Sequence, residues 1–285
     1  MRSESELFAL FLDFAQQDER IRIVGMEGSR TNVHVPKDEF QDYDISFIVT
    51  DMDSFLKDDD WLDMFGKRIM MQKPEAMSLF PPENEWFSYL MIFEDEIKID
   101  LSIIPMALLQ NYLDGDKLLK ILLDKDGLVP NPPMPTDEDY WINKPSPAFF
   151  DDCCNEFWFV STYAAKGLFR GELLFASYHV ERILRPQLLT MLSWKIGTVH
   201  GYGFSLGKCY KYIDKYLSKE EWDLLMETYR MNTDKNCWAA LDAAQELFRR
   251  ASHDVACHFG YAYPDHDVRV TNYIKKIKIR YNMST

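Results

Sequence analysis

The chain has 285 residues, 47% of them hydrophobic and 14% aromatic, so it can bury the core of one large domain or two ordinary ones. Its formal net charge of -14, from 46 acidic and 32 basic residues, excludes a generally basic duplex-binding surface and favours a cationic binding partner. No run of eighteen apolar residues and no signal-peptide core occur, and the five cysteines lack metal-finger spacing. A cytoplasmic protein with reduced cysteines, free of membrane and nucleic-acid contacts, is expected.

Ser3 and Glu6 have the spacing of a capping box, and Leu7, Leu10, Phe11 and Phe14 follow at helical intervals. A helix over Ser3 to Gln17 is predicted. Ile21 to Met26 reads as a strand that leaves through the turn Glu27-Gly28-Ser29-Arg30. Asp42-Tyr43-Asp44 then leads into Ile45-Ser46-Phe47-Ile48-Val49. Residues two apart in a strand face the same way, so Asp42 and Asp44 point to one side. Alone, this pair would be an ordinary solvated strand entrance. A helix is predicted from about Ser54 to Phe65, with Asp58-Asp59-Asp60 on its solvated face, and a strand over Arg68 to Gln72. Trp86 to Phe93 and Ile97 to Ile104 flank Glu94-Asp95-Glu96 as the arms of an antiparallel hairpin. In the second arm Ile97, Ile99, Leu101 and Ile103 share one face, and Lys98, Asp100 and Ser102 share the other.

A carboxylate inside a β-run is costly unless it is exposed, paired or metal-bound. Asp100 alone fits a sheet with one wet face. Taken with Asp42, Asp44 and the Gly28-Ser29 turn, it completes a set of oxygen ligands for two Mg2+ ions, beside a backbone that can approach phosphate closely. That equipment suits transfer of a nucleotidyl group from a triphosphate.

Six prolines between Val129 and Pro147 disfavour a continuous helix or central strand. Residues 1–135 are therefore expected to form a catalytic domain, 136–147 a connection and 148–285 a mostly helical domain that binds substrate and nucleotide. Helices are predicted around Phe150 to Ala165, then over Glu172 to Arg185, Gln187 to Gly197, Lys208 to Leu217, Glu220 to Tyr229 and Trp238 to Arg250. Gly167, Gly171 and Pro186 are the expected interruptions. Lys166 with Arg170, or Lys208 with Lys211 and Lys215, are basic sets suited to a triphosphate. Lys208 is preferred because it follows Gly207. Asp151, Asp152 and Glu156 are the candidates for meeting a cationic acceptor. Trp158 is expected in the core, and the histidines show no zinc-site pattern.

The series Gly28-Ser29, Asp42-Tyr43-Asp44 and Asp100 resembles the nucleotidyltransferase fold of polymerase β and the antibiotic nucleotidyltransferases. Longer segments are more specific. Glu27 to Asn32, Gln41 to Ser46, Phe65 to Pro74, Asp151 to Trp158 and Lys166 to Leu168 resemble the aminoglycoside 6-adenylyltransferases, which modify streptomycin. The resemblance spans nearly the whole chain. It implies an α/β (α+β) nucleotidyltransferase fold with a mixed sheet, followed by a mostly helical C-terminal domain. It also implies transfer of AMP from the co-substrate ATP to the 6-hydroxyl of streptomycin, with release of pyrophosphate and antibiotic resistance as the outcome. In this scheme Asp42, Asp44 and Asp100 ligate two Mg2+ ions, and Asp100 is the candidate for taking the acceptor proton. Gly28, Ser29 and Arg30 hold the nucleotide, Arg30 having a second use in fixing the loop, and Lys208, chosen from its position after Gly207, is the added candidate. A monomer is expected. A nucleotidyltransferase for another small molecule or a protein, and a non-catalytic nucleotide-binding regulator, are the alternatives.

Overall fold

A computed structural model describes residues 2–80 and 85–284. The chain divides into two compact units, Met1–Asp139 and Tyr140–Thr285, and the division falls within the proline-rich stretch.

In the first unit, helix α1 (Glu4–Gln17) is capped as its sequence requires: the Ser3 side chain accepts from the Glu6 amide, and Glu6 accepts from the Ser3 amide. Strands β1 (Ile21–Glu27), β2 (Tyr43–Val49), β3 (Arg68–Gln72), β4 (Phe87–Phe93) and β5 (Lys98–Pro105) follow. A short helix α2 (Leu109–Leu113) precedes strand β6 (Leu119–Asp124). The six strands form one sheet in the order β3-β4-β5-β2-β1-β6, with β2 and β5 parallel and every other neighbouring pair antiparallel. The expected hairpin is β4–β5, with Glu96 at φ 69° in its turn.

Alternation along the strands separates the two faces. Leu7, Phe11 and Ala15 of α1 pack with Tyr43, Ile45 and Phe47 of β2 and Ile99, Leu101 and Ile103 of β5 in the main core of this unit. The opposite face carries a smaller cluster, Ile23, Ile48, Ile104, Tyr112 and Leu119. Toward the beginnings of the parallel strands this second face turns polar, with Asp44 and Ser46 on β2 and Lys98, Asp100 and Ser102 on β5.

The predicted helix over Ser54 to Phe65 is largely absent: only a 3-10 segment, Asp60–Phe65, forms. Local side-chain bonds compete with the helix here. Ser54 donates its amide to Asp51 Oδ1 (3.2 Å) and its hydroxyl to the Asp51 carbonyl (2.8 Å), and Asp60 donates its amide to Asp58 Oδ1 (3.2 Å).

The second unit is helical: α3 (Pro147–Phe169), α4 (Leu173–His179), α5 (Arg185–His200), α6 (Lys219–Glu227), α7 (Asp234–Phe259) and α8 (His266–Ser284). Helix α3 starts at the Ser146 cap with Pro147 in its first turn, runs through Gly167 and gives way before Gly171 at φ 71°. Its buried residues recur at helical spacing, and Phe157 stacks on Phe248 of α7 at 3.8 Å. Trp158 is fully buried, as expected of a core residue. Pro186 does not break the chain as predicted. A π-helical turn, Val180–Leu184, links α4 to α5 just before Pro186, and the wider turn lets the helical path continue through the proline.

Lys208 to Leu217 is also not the predicted helix. It forms two 3-10 turns, with Cys209 and Tyr210 at φ 56° and 61°. Helix α8 had no counterpart in the sequence reading. It is tied down by buried Asp267, which accepts from Arg249 of α7 at 2.8 and 2.9 Å and from the Tyr263 hydroxyl at 3.0 Å. Among the described residues, no helix is long and apolar enough to cross a membrane.

Candidate active site

The site lies where β2 and β5 begin and the antiparallel β1 ends. In the parallel register Asp44 is paired with Asp100, and in the antiparallel register Asp44 is paired with Glu27. Three carboxylate-bearing positions therefore sit side by side on adjacent strands. Asp42 stands one residue before β2.

Lys98 connects Asp42 to Asp100. Its ammonium donates to Asp42 Oδ2 at 2.6 Å and to Asp100 Oδ2 at 2.7 Å. Partial burial alone would lower the lysine pKa. The two hydrogen bonds and the carboxylate charges outweigh that effect and hold it above the ordinary lysine range.

Gly28 is the contact between turn and strand. It has φ 72°, and a Cβ built on it would lie 2.4 Å from Asp44 Oδ2. Only a residue without a side chain lets this turn sit against the carboxylate. The Gly28 amide donates to the Leu118 carbonyl at 3.0 Å, so the turn is fixed to the segment before β6. Ser29 Oγ accepts from the Gln41 amide group at 3.4 Å, and its own O–H can still donate.

Arg30 performs the second of its two expected uses. Its Nε donates to the Asp42 carbonyl at 2.9 Å and its Nη2 to the Gln41 carbonyl at 2.8 Å, while the guanidinium lies 3.6 Å from the Tyr43 ring centre. With its side chain 8% exposed, it clamps the backbone that carries Asp42.

Three participants, Lys98, Glu27 and Tyr112, carried no role in the sequence-based expectations. Glu27 ends β1 next to the Gly28 turn, and it accepts a short hydrogen bond from the Tyr112 hydroxyl. Its carboxyl is pushed up to about 7, first by loss of hydration, with the nearby Asp44 and Asp116 charges adding to the rise and the Tyr112 and Ser46 hydrogen bonds opposing it. Tyr112 reaches Glu27 across Gly25, where a Cβ would collide with the phenol oxygen at 1.8 Å. The available signals were alternation in β5, which put Lys98 on the Asp100 face, and the position of Glu27 immediately before the turn.

All the donors gathered here are oxygens, and an ammonium already bridges two of them. The residue types fit hard divalent cations. As the side chains stand, no group of three or more His, Cys, Asp or Glu among the described residues is arranged to hold a metal ion. Lys98 supplies positive charge between Asp42 and Asp100.

In the helical unit Asp151, Asp152 and Glu156 are exposed on the first turns of α3. Lys208 is exposed at the start of a 3-10 turn, after Gly207 at φ 77°. Lys211 and Lys215 lie over the Tyr212 ring at 5.1 and 4.2 Å. Lys166 lies over Tyr163 at 5.4 Å, and Arg170 pairs with Glu172 at 3.7 Å.

A mixed sheet with carboxylates at the starts of two parallel strands and a Gly-Ser turn against one of them has the layout of a nucleotidyltransferase. The chain belongs to the streptomycin adenylyltransferase family, which it matches over residues 1–277. It is 50% identical over 283 residues to an aminoglycoside 6-adenylyltransferase of Campylobacter jejuni, covering 99% of this chain and 98% of the relative. It is 52% identical over 279 residues to an aminoglycoside 6-adenylyltransferase of Bacillus subtilis (strain 168), covering 97% and 98%. A crystal structure of an aminoglycoside 6-adenyltransferase from Bacillus subtilis aligns with 98% of this chain and 99% of its own, at 48% identity and a TM-score of 0.48.

Proposed function

We propose that the protein transfers AMP from ATP to the 6-hydroxyl of streptomycin and releases pyrophosphate. The observation that carries this reading is the register of Asp44 with Asp100, with Gly28 packed against Asp44, in a chain of an adenylyltransferase family.

In the proposed reaction the acceptor oxygen attacks the α-phosphorus of ATP. The new O–P bond forms as the bond to the pyrophosphate oxygen breaks, and the acceptor proton passes to a carboxylate oxygen of Asp100. Asp42, Asp44 and Asp100 would hold two divalent ions. When bound, these supply positive charge to the phosphate oxygens and lower the pKa of the acceptor hydroxyl. Ser29 would donate its O–H to a terminal phosphate oxygen, at a turn whose bare Gly28 admits close approach. Arg30 is assigned to holding the Asp42 backbone in place. In the helical unit the proposal assigns Lys208 to the triphosphate and Asp151, Asp152 and Glu156 to the guanidinium and ammonium groups of the acceptor. The net charge of -14 supports capture of a cation at long range.

The test is to incubate the protein with ATP, Mg2+ and a panel of aminoglycosides, following pyrophosphate release and product mass. A mono-adenylylated streptomycin is expected. Modification of a different acceptor under the same conditions would retain the transfer chemistry and reject streptomycin. Nucleotide binding without any transfer would leave the regulator reading.

A further inference from the structure

We propose that Lys98 is a displaceable internal cation: its ammonium occupies the place between Asp42 and Asp100 that a divalent ion takes in the working enzyme, and it must leave for that ion to bind. The inference rests on the reading of these carboxylates as ion ligands and adds a role for a residue outside the ligand set.

The geometry supports displacement over a fixed structural bridge. The ammonium uses one oxygen of each carboxylate, at 2.6 and 2.7 Å. A divalent ion bound to those oxygens would stand in contact with the ammonium, and two cations at that distance repel strongly. Asp42 does not depend on Lys98 for its backbone position, because Arg30 already holds the carbonyls of Gln41 and Asp42. Lys98 also has somewhere to go. It lines a cavity of about 270 Å3 whose wall carries Asp38, Glu39 and Glu96, and Glu4 paired with Arg30 and Lys37, so a displaced ammonium stays within reach of other carboxylates. The lysine side chain is 35% exposed, and its four-carbon stem can swing without opening the core.

The consequence is a competition. Without a divalent ion, Lys98 relieves repulsion among the carboxylates and keeps them preorganised. When the ion arrives, that charge must be moved. Removing the ammonium should therefore tighten ion binding and destabilise the ion-free protein. A lysine that merely pinned Asp42 in place would behave oppositely: its loss would loosen a ligand and weaken ion binding.

The experiment measures Mn2+ binding to the nucleotide-free protein by electron paramagnetic resonance, for wild type, Lys98→Met and Asp44→Asn. Lys98→Met is expected to bind Mn2+ at least about tenfold more tightly, and to melt lower than wild type in chelator but not in saturating Mn2+. Equal or weaker Mn2+ binding by a folded Lys98→Met would overturn the proposal. Absence of Mn2+ binding in wild type, or undiminished binding in Asp44→Asn, would instead remove the ion-site reading beneath it. A second measurement needs no variant. Acylation of Lys98 in wild type, followed by mass spectrometry, should rise several-fold when Mn2+ is added, and an unchanged rate would equally overturn displacement.

Discussion

Gly28→Ala tests the contact that joins the Gly28-Ser29 turn, proposed to hold phosphate, to the carboxylates. Two costs can be worked out from the structure. Residue 28 has φ 72°, a left-handed conformation that costs a residue with a Cβ about 1–2 kcal/mol. The new methyl carbon would also start 2.4 Å from Asp44 Oδ2, closer than the 3.0 Å that real Cβ contacts respect, so the carboxylate must retreat by at least about 0.6 Å. The first cost should appear as a melting temperature lower by about 3–8 °C. The second should appear in turnover, since misplacing a reacting group by about 1 Å costs on the order of 100-fold. Steady-state pyrophosphate release, beside thermal unfolding in saturating Mg2+, separates the two. If Asp44 is the element displaced, adding Gly28→Ala to Asp44→Asn should cost little further activity. A Gly28→Ala protein that melts lower but turns over normally would refute the claim that the position of Asp44 against this turn matters to catalysis.

The other predictions concern single groups. Asp42→Asn, Asp44→Asn and Asp100→Asn should each nearly abolish turnover while circular dichroism stays native, because charge and ligation are lost at constant volume; near-normal turnover by Asp100→Asn would remove its assigned role. Arg30→Met should lower both melting temperature and kcat by loosening the Asp42 backbone, with the KM for ATP little changed, whereas a selective rise in that KM would make Arg30 a phosphate contact instead. The folded Glu27 carboxyl titrates near 7 instead of 4.5, so the folded state binds its proton more tightly than the unfolded chain does. Its contribution to stability therefore declines as pH rises from about 4.5 to 7. Glu27→Gln should flatten that decline in chelator-treated protein, and an unaltered pH profile would count against the burial of Glu27 as its cause.

Much of the first unit was legible because its signals are local. The Ser3–Glu6 box fixed the start of α1, and alternation in β5 separated Ile99 and Leu101 from Lys98 and Asp100. That alternation placed Asp100 on a polar face but could not show Lys98 reaching Asp42, 56 positions away in the chain. Nor could it show Tyr112 reaching Glu27 across the bare backbone of Gly25. The misread segments were those where spacing looked helical and backbone chemistry disagreed. Between Asp51 and Ser54 local side-chain hydrogen bonds stand where the helix was expected to begin. Gly207 and the left-handed Cys209 and Tyr210 broke the run from Lys208 to Leu217. Helix α8 does carry Val270, Ile274, Ile277 and Tyr281 at helical spacing against the core, but its anchor through Asp267 to Arg249 of α7 is a pairing that no short window of sequence displays.

The most direct test of the central claim is where AMP is attached on the product. Phosphorus–proton correlation NMR on purified product from ATP and streptomycin should show the phosphodiester coupled to the proton at the streptidine 6-position. Coupling to a streptose proton, or to any other ring position, would contradict the assignment, and unmodified drug under conditions that adenylylate another acceptor would contradict the substrate.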